Sequence, residues 1–284
     1  MHITVLAATS ADVELILALR DAEPDHSVTV VANTASDLTV HGLRSCPDLD
    51  ALMYAMPSAV RTTDSGAVHR ELTGYGVDGL WYELTDREMA TLILRTRLLG
   101  LGYSLSQVTQ ALSARWNPPY ALLPLSDDPI ETHVVLADDG AERPAVAVHV
   151  QQWLSGGRQQ QPQRLAFSGL DTATTAPGVL DAIRKSDIVI LSQRGDPELT
   201  LVPALQLPGV KEALRGTRGL VLGLAGDKTW HSPGKATADE LVAEWSAERN
   251  PPALASWILA HPVKTNQVPA KQQLWPGPDE LGRG

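Results

Sequence analysis

A single cysteine, Cys46, stands among the 284 residues, so the chain can form neither an internal disulfide nor a cysteine-rich zinc site. An intracellular, cytoplasmic setting fits that usage. Basic residues are also short: 23 Lys and Arg stand against 33 Asp and Glu, for a net charge of -10. Phosphate backbones are held mainly by Lys and Arg, so this balance argues against nucleic-acid binding, and any phosphate site must be local. Nowhere do about 18 apolar residues run uninterrupted, and the N-terminal stretch turns polar within about ten residues; neither a membrane span nor a signal peptide is expected. No Gly-x-Gly-x-x-Gly follows either of the first two strand-like runs, which argues against an ordinary dinucleotide-binding dehydrogenase.

What is present is an ordinary globular composition, 43% hydrophobic and 20% charged, long enough for one large core with a subsidiary lobe. Residues 3–8 and 28–32 read as almost wholly apolar strands flanking a helix with Val13, Ile16, Leu17 and Leu19 inward. This opening βαβ unit implies a parallel sheet, with ligands expected at the carboxyl ends of its strands. Capping patterns at Thr85–Glu88 and at Ser104 open two helices in a helical insertion over about residues 60–120. In the first, Met89, Leu92, Ile93, Leu98 and Leu99 form the apolar stripe; in the second, Leu105, Val108 and Leu112 point inward. Residues 132–137 and 145–150 pair as a hairpin, after which the βα rhythm resumes with a strand at 164–168, a helix at 177–185 and strands at 187–192 and 219–224. The fold class expected is α/β, a Rossmann-like mostly parallel sheet with a helical insertion and an antiparallel hairpin. A helix is expected at 236–247. One domain spans 1–250, and residues 251–284, which hold six prolines and the frayed end of the chain, form a partly disordered tail.

The stretch that concentrates chemistry is residues 33–54, which follows the second strand and holds Asn33, Asp37, Asp48 and Asp50. Asp37 and Asp50 are too far apart for one helix turn, yet a loop leaving a strand end could bring both onto one hard cation. The same residue types also make turns and caps, and Pro47 opening a helix is an ordinary start; by spacing alone that reading is preferred. A second acidic cluster, Ser126, Asp127 and Asp128 with Glu131, precedes a strand and could line a site or form a solvated turn around Pro129. Arg194, in the loop after 187–192, is a candidate phosphate partner. In the first turn, Ala8, Thr9, Ala11 and Asp12 offer no glycine cradle, and Asp12 near a helix N-terminus stabilises the helix while repelling a phosphate.

Several segments together resemble the 2-phospho-L-lactate transferase family, which builds coenzyme F-420 from a deazaflavin precursor. They are HGLRSCPDLDALMY at 41–54, LTDREMATLILRT at 84–96, GYSLSQVT at 102–109, LLPLSDDPIETHV at 122–134, VQQW at 150–153 and LPGVKEAL at 207–214. Order and spacing match as well, over roughly residues 2–230. The resemblance implies a Rossmann-like core with a helical insertion, a homodimer, and Mg²⁺-dependent transfer of a phosphorylated three-carbon acid from a guanosine diphosphate-linked donor to a deazaflavin hydroxyl, with GMP leaving. It carries the catalytic, metal-binding aspartates over to Asp37 and Asp50. Asp127, Asp128 and Thr132 match a second polar cluster on the donor or acceptor side; Asn33, Ser126 and Arg194 complete the expected ligand contacts.

The departures fall on the donor's side. The family's GGxGGA loop and its following basic residue have become Ala8, Thr9, Ser10, Ala11, Asp12, Val13 and Glu14. The family's GDD has become Ala35, Ser36 and Asp37, its SNP loop Arg194 to Pro197, and its QEWW Gln151, Gln152, Trp153 and Leu154. Two readings follow: a divergent transferase, or a non-catalytic paralogue that binds a ligand or regulates a partner.

Overall fold

A computed structural model describes residues 1–22, 25–55, 65–136, 146–158, 161–193 and 196–225. The expectations for Arg194, the helix at 236–247 and the tail at 251–284 lie outside the described residues. In chain order the elements are β1 (His2–Ala8), a 3-10 turn (Ser10–Asp12), α1 (Val13–Ala22), β2 (Ser27–Ala32), β3 (Leu38–Val40), β4 (Leu43–Ser45), α2 (Pro47–Tyr54), α3 (Ala67–Gly74), α4 (Asp86–Gly100) and α5 (Leu105–Trp116). There follow β5 (Ala121–Pro124), β6 (Glu131–Leu136), β7 (Val146–His149), α6 (Val150–Ser155), β8 (Pro162–Ser168), α7 (Val179–Lys185), β9 (Ile188–Gln193), α8 (Pro197–Gln206), α9 (Val210–Gly216) and β10 (Leu220–Ala225).

Five strands form a parallel sheet in the order β10-β9-β1-β2-β5. Alternation along each strand divides the core in two. Ile3 and Val5 of β1, with Ile188 and Ile190 of β9, pack against Leu15 and Ile16 of α1, Leu49 and Leu52 of α2, and Leu105 and Val108 of α5. Leu6, Val189 and Leu191 pack the other way, against α7, α8 and α9. Both faces are covered, which is why these strands read as unbroken apolar runs. β1 has β2 on one side and β9 on the other. The crevice outside the carboxyl ends of β1 and β9 is therefore the topological switch point, the usual ligand position in such sheets.

A second sheet, antiparallel in the order β7-β6-β8, stands beside the first. The β6–β7 pairing is the expected hairpin. The strand at 164–168 is a correction: it does not resume the parallel sheet but pairs antiparallel to β6, with Thr132 opposite Phe167 and Val134 opposite Leu165. Strand direction is set by long-range pairing, which a five-residue apolar pattern does not encode. Residues 38–45, read as loop, form the hairpin β3–β4. Its two-residue tip, His41 and Gly42, has φ of 51° and 74°, the two left-handed residues that the right-handed strand twist demands. Leu38 and Val40 bury against Leu84, Met89 and Leu92, giving the helical lobe its own small core.

The predicted capping box of Thr85 with Glu88 forms, and the predicted cap Ser104 forms one too, with Gln107. The stripe on α4 is different in one respect. Ile93 is 53% exposed, whereas Arg95, three residues after the buried Leu92, is completely buried.

Candidate functional site

The turn after β2 is built from its own side chains. Asn33 is buried, and its Nδ2 donates to Ser36 Oγ at 2.6 Å and to Asp48 Oδ2 at 2.8 Å, while its Oδ1 accepts from the Ala35 N–H at 3.1 Å. Ser36 Oγ donates to the same Asp48 oxygen at 2.8 Å. Asp48, at the start of α2, thus ties the helix to the turn; burial pushes its carboxyl up, and the Asn33 and Ser36 donors hold it down. The second sheet braces the turn from outside. Thr132 of β6 donates twice to the Ala35 carbonyl, from N–H at 2.9 Å and from Oγ1 at 2.7 Å. His149 Nε2 lies 3.1 Å from the Asp37 carbonyl oxygen while its Nδ1 accepts from the Gln151 N–H. A carbonyl can only accept and an N–H only donate, so these two contacts assign His149 as the neutral Nε2–H tautomer.

Asp37 itself is fully buried, and neither of its carboxylate oxygens has a hydrogen-bond partner. The nearest cation is Arg44 of β4, with Nη2 3.5 Å from Asp37 Oδ2; Arg44 Nη1 also donates to Glu131 Oε1 at 3.0 Å. Burial dominates, raising the Asp37 carboxyl to about 7, against the pull of Arg44. The Cys46 thiol adds a weaker downward pull, without meeting hydrogen-bond geometry. A buried carboxylate without hydrogen bonds is costly even beside a cation, and such groups concentrate where ligands bind.

Asp50, one turn into α2, is occupied. Arg95 clasps it with both terminal nitrogens, Nη1 to Oδ2 at 2.9 Å and Nη2 to Oδ1, and Nη1 also lies 3.4 Å from the Arg44 carbonyl. Burial raises the Asp50 carboxyl and Arg95 opposes that rise. Arg95 Nε is buried with no partner. Reading the chain by sequence missed this arginine. The signal was its place: 92 to 95 continues the Met89–Leu92 stripe, so a charged residue stood on the buried face of an amphipathic helix.

The second polar cluster is divided: Thr132 and Glu131 reach the Asp37 turn, through the Ala35 carbonyl and Arg44, whereas Ser126, Asp127 and Asp128 are engaged in holding the fold. Asp127 accepts from Ser106 N–H at 2.6 Å and Oγ at 2.9 Å, fastening the start of α5. Asp128 accepts from Thr174 N–H and Oγ1, and Ser126 donates to the Thr174 carbonyl at 2.6 Å. Gly169, at the end of β8, closes this corner: at φ 79° a Cβ would sit 2.3 Å from the Pro129 carbonyl oxygen, so no larger residue fits.

As a donor set for Mg²⁺, Asp37 fits: two buried oxygens with no protein donor, hard ligands of the kind that cation takes, usually one or two carboxylates plus waters and phosphates. Asp50 has both oxygens committed to Arg95. Among the described residues no group of three or more His, Cys, Asp or Glu is arranged to hold a metal by protein ligands alone.

The family model described as 2-phospho-L-lactate transferase CofD matches residues 3–262, nearly the whole chain. This chain belongs to that family. It is 37% identical over 266 residues to the phosphoenolpyruvate transferase of Streptomyces griseus subsp. griseus, covering 90% of this chain and 81% of the relative. It is likewise 37% identical over 284 residues to the phosphoenolpyruvate transferase of Mycolicibacterium smegmatis, covering 92% and 84%. The crystal structure of a protein member of the UPF0052 family from Bacillus halodurans shares the fold, with a TM-score of 0.54, 17% identity, and coverage of 78% of this chain and 67% of that one. The resemblance read from the six sequence segments is thereby established, and the α/β fold with it. The family is one of transferases in coenzyme F-420 biosynthesis. No helix among the described residues is long and apolar enough to cross a membrane.

Proposed function

We propose that this 2-phospho-L-lactate transferase family member transfers a phosphate-linked three-carbon acid from a guanosine diphosphate-linked donor to a hydroxyl of a deazaflavin-type acceptor, releasing GMP. One observation carries the reading: the buried carboxylate of Asp37, just past the carboxyl end of β2, has no hydrogen-bond partner, is ion-paired with Arg44 at 3.5 Å and feels the charges of Asp50 and Arg95. In this reading the acceptor oxygen forms a bond to the donor's β-phosphorus as the bond to the GMP oxygen breaks, and the acceptor's proton passes to solvent or a neighbouring base. The protein's part in such a transfer is mainly positioning and neutralising charge. Arg44 and Arg95 supply fixed positive charge, and the Thr132 and His149 contacts keep the Asp37 turn rigid. Mg²⁺, which Asp37 would hold, would neutralise phosphate oxygens when bound; Asp50, with both oxygens on Arg95, would join it only if an incoming anion took over that arginine.

Calorimetry with GDP and Mg²⁺ tests this. Metal-dependent binding is expected, weakened at least about tenfold in Asp37→Asn, equivalent to about 1.4 kcal/mol; no binding at millimolar ligand would sink the proposal. Transfer itself is read by mass spectrometry of a deazaflavin acceptor mixed with guanylylated phospho-acids. The names of its relatives make the phosphoenolpyruvate-bearing donor the first to try.

The second reading, a non-catalytic ligand-binding paralogue, is favoured by a different feature, the Asp12 carboxylate buried in the turn after β1. It predicts ligand binding with no coupled product from any acid. The homodimer implied by the family resemblance belongs to the first reading. Ile93, Leu94, Leu101 and Tyr103 expose apolar surface on and just beyond α4, where a second copy would bury it. Sedimentation equilibrium is expected to show a dimer that Leu101→Asp shifts toward monomer; a monomeric wild type would remove this part.

A further inference from the structure

The switch-point crevice between β1 and β9 is closed from within. Of the four successive backbone donors in the turn after β1, three already have an acceptor in the chain: Thr9 N–H donates to Asp12 Oδ2 at 2.8 Å, Ala11 N–H to Thr9 Oγ1 at 3.2 Å, and Asp12 N–H to the Thr9 carbonyl at 3.0 Å. The fourth, Ser10 N–H, lies near enough to the Asp48 carboxylate to hold it down. From the far side of the crevice Ser192, at the end of β9, donates its hydroxyl to the Asp12 carboxylate, 2.7 Å from either oxygen. Asp12 is completely buried there. A helix N-terminus at a sheet's switch point binds an anion through unpaired N–H groups and the helix dipole. Here a carboxylate of the chain takes that place, and an incoming phosphate would meet Asp12 and Asp48 rather than open donors.

We propose that Asp12, fastened by Thr9 and Ser192, is an internal anion that fills this crevice and determines where the chain takes a phosphate: not over the β1 turn but on the β2 side, toward Asp37, Arg44 and Arg95. Asp12 is thus a specificity-determining residue. It selects against ligands that need the β1 turn for their diphosphate, and it leaves the Mg²⁺-dependent site as the anchoring point. The inference rests on the reading above only for the location of that second site.

The probe is inorganic pyrophosphate, with GDP as a second ligand, titrated by calorimetry without divalent metal into wild type, Asp12→Gly and Asp12→Asn. A thermal melt of each variant reports folding. Wild type is expected to show no metal-free binding at millimolar pyrophosphate. Asp12→Gly is expected to gain at least about tenfold in affinity, because it frees the Thr9 N–H and removes the repelling charge. Asp12→Asn, which keeps the shape and loses the charge, is expected to gain less. Should Asp12→Gly fail to fold, Asp12→Ser, which keeps a capping side chain and removes the charge, is expected to gain in the same direction. Metal-free binding by wild type equal to that of the variants overturns the proposal, and so does the absence of any gain in the folded variants. A missing transfer product leaves it standing, since this readout needs neither metal nor catalysis.

Discussion

Replacing Arg95 by methionine is expected to lower the free energy of unfolding by about 3–5 kcal/mol, the loss typical when one partner of a buried ion pair is removed. Asp50 is only 4% exposed and has both oxygens on Arg95, so Arg95→Met strands a carboxylate inside the helical lobe. The size of the effect comes from that stranded charge more than from the attraction lost. Two consequences separate this account from simple loss of packing. The deficit should shrink as pH falls, because a stranded Asp50 can take up a proton and become neutral. And the double variant Arg95→Met with Asp50→Leu should recover most of the loss, because no unpaired charge remains. Urea unfolding of wild type and the two variants across an acidic to neutral range decides it. A deficit independent of pH, undiminished in the double variant, would show that Arg95 contributes by shape alone.

Arg95 also marks the limit of what the chain disclosed before its structure. Strands β1, β2, β9 and β10 were legible because a parallel sheet covered on both faces has no polar positions to interrupt it. Helices α4 and α5 were legible because their caps are local: Thr85 with Glu88 and Ser104 with Gln107 are each three residues apart. The antiparallel placing of β8 was not, since its partner β6 lies some thirty residues earlier and nothing within 164–168 states a direction. The β3–β4 hairpin escaped because three-residue strands are shorter than the pattern that identifies a strand.

The candidate site divides along the same line. Asp37 and Asp50 stood out as acids after a strand, and Asp12 as an acid near a helix N-terminus, because those are local facts. What each acid faces is not local: Arg95 lies 45 positions from Asp50, and Ser192 lies 180 from Asp12. Those partners turn three similar carboxylates into three different groups. Asp50 is neutralised by a guanidinium, Asp12 is saturated by hydroxyl and backbone donors, and Asp37 is left without a hydrogen bond. Asp127 and Asp128, equally conspicuous in the sequence, are engaged at a helix start and with Thr174.

Asp37→Asn is expected to make the folded chain more stable above neutral pH while abolishing the Mg²⁺ response. The folded-state carboxyl is raised to about 7 from its ordinary 3.8. Between those values the folded chain holds a proton that the unfolded chain has released, so stability falls as pH rises through the window and the loss is complete above about 7. The shift of about three units corresponds to on the order of 4 kcal/mol across the window. An asparagine carries no charge to bury, so the variant should lack this slope. Because Asp48 and Asp50 are also raised and Asp86 and Asp181 lowered, the quantity to read is the difference between variant and wild type at each pH. Near parity is expected at about pH 4, and a widening advantage for the variant toward about pH 8. Mg²⁺ competes with the proton for the same oxygens. It should therefore raise the melting temperature of wild type more at about pH 8 than at about pH 6, and leave Asp37→Asn unmoved. A variant less stable than wild type at the alkaline end, with its Mg²⁺ response intact, would mean that the Asp37 carboxylate is a satisfied structural group. The predicted opposition, stability gained as the metal response is lost, is what a carboxylate kept without hydrogen bonds for a ligand implies.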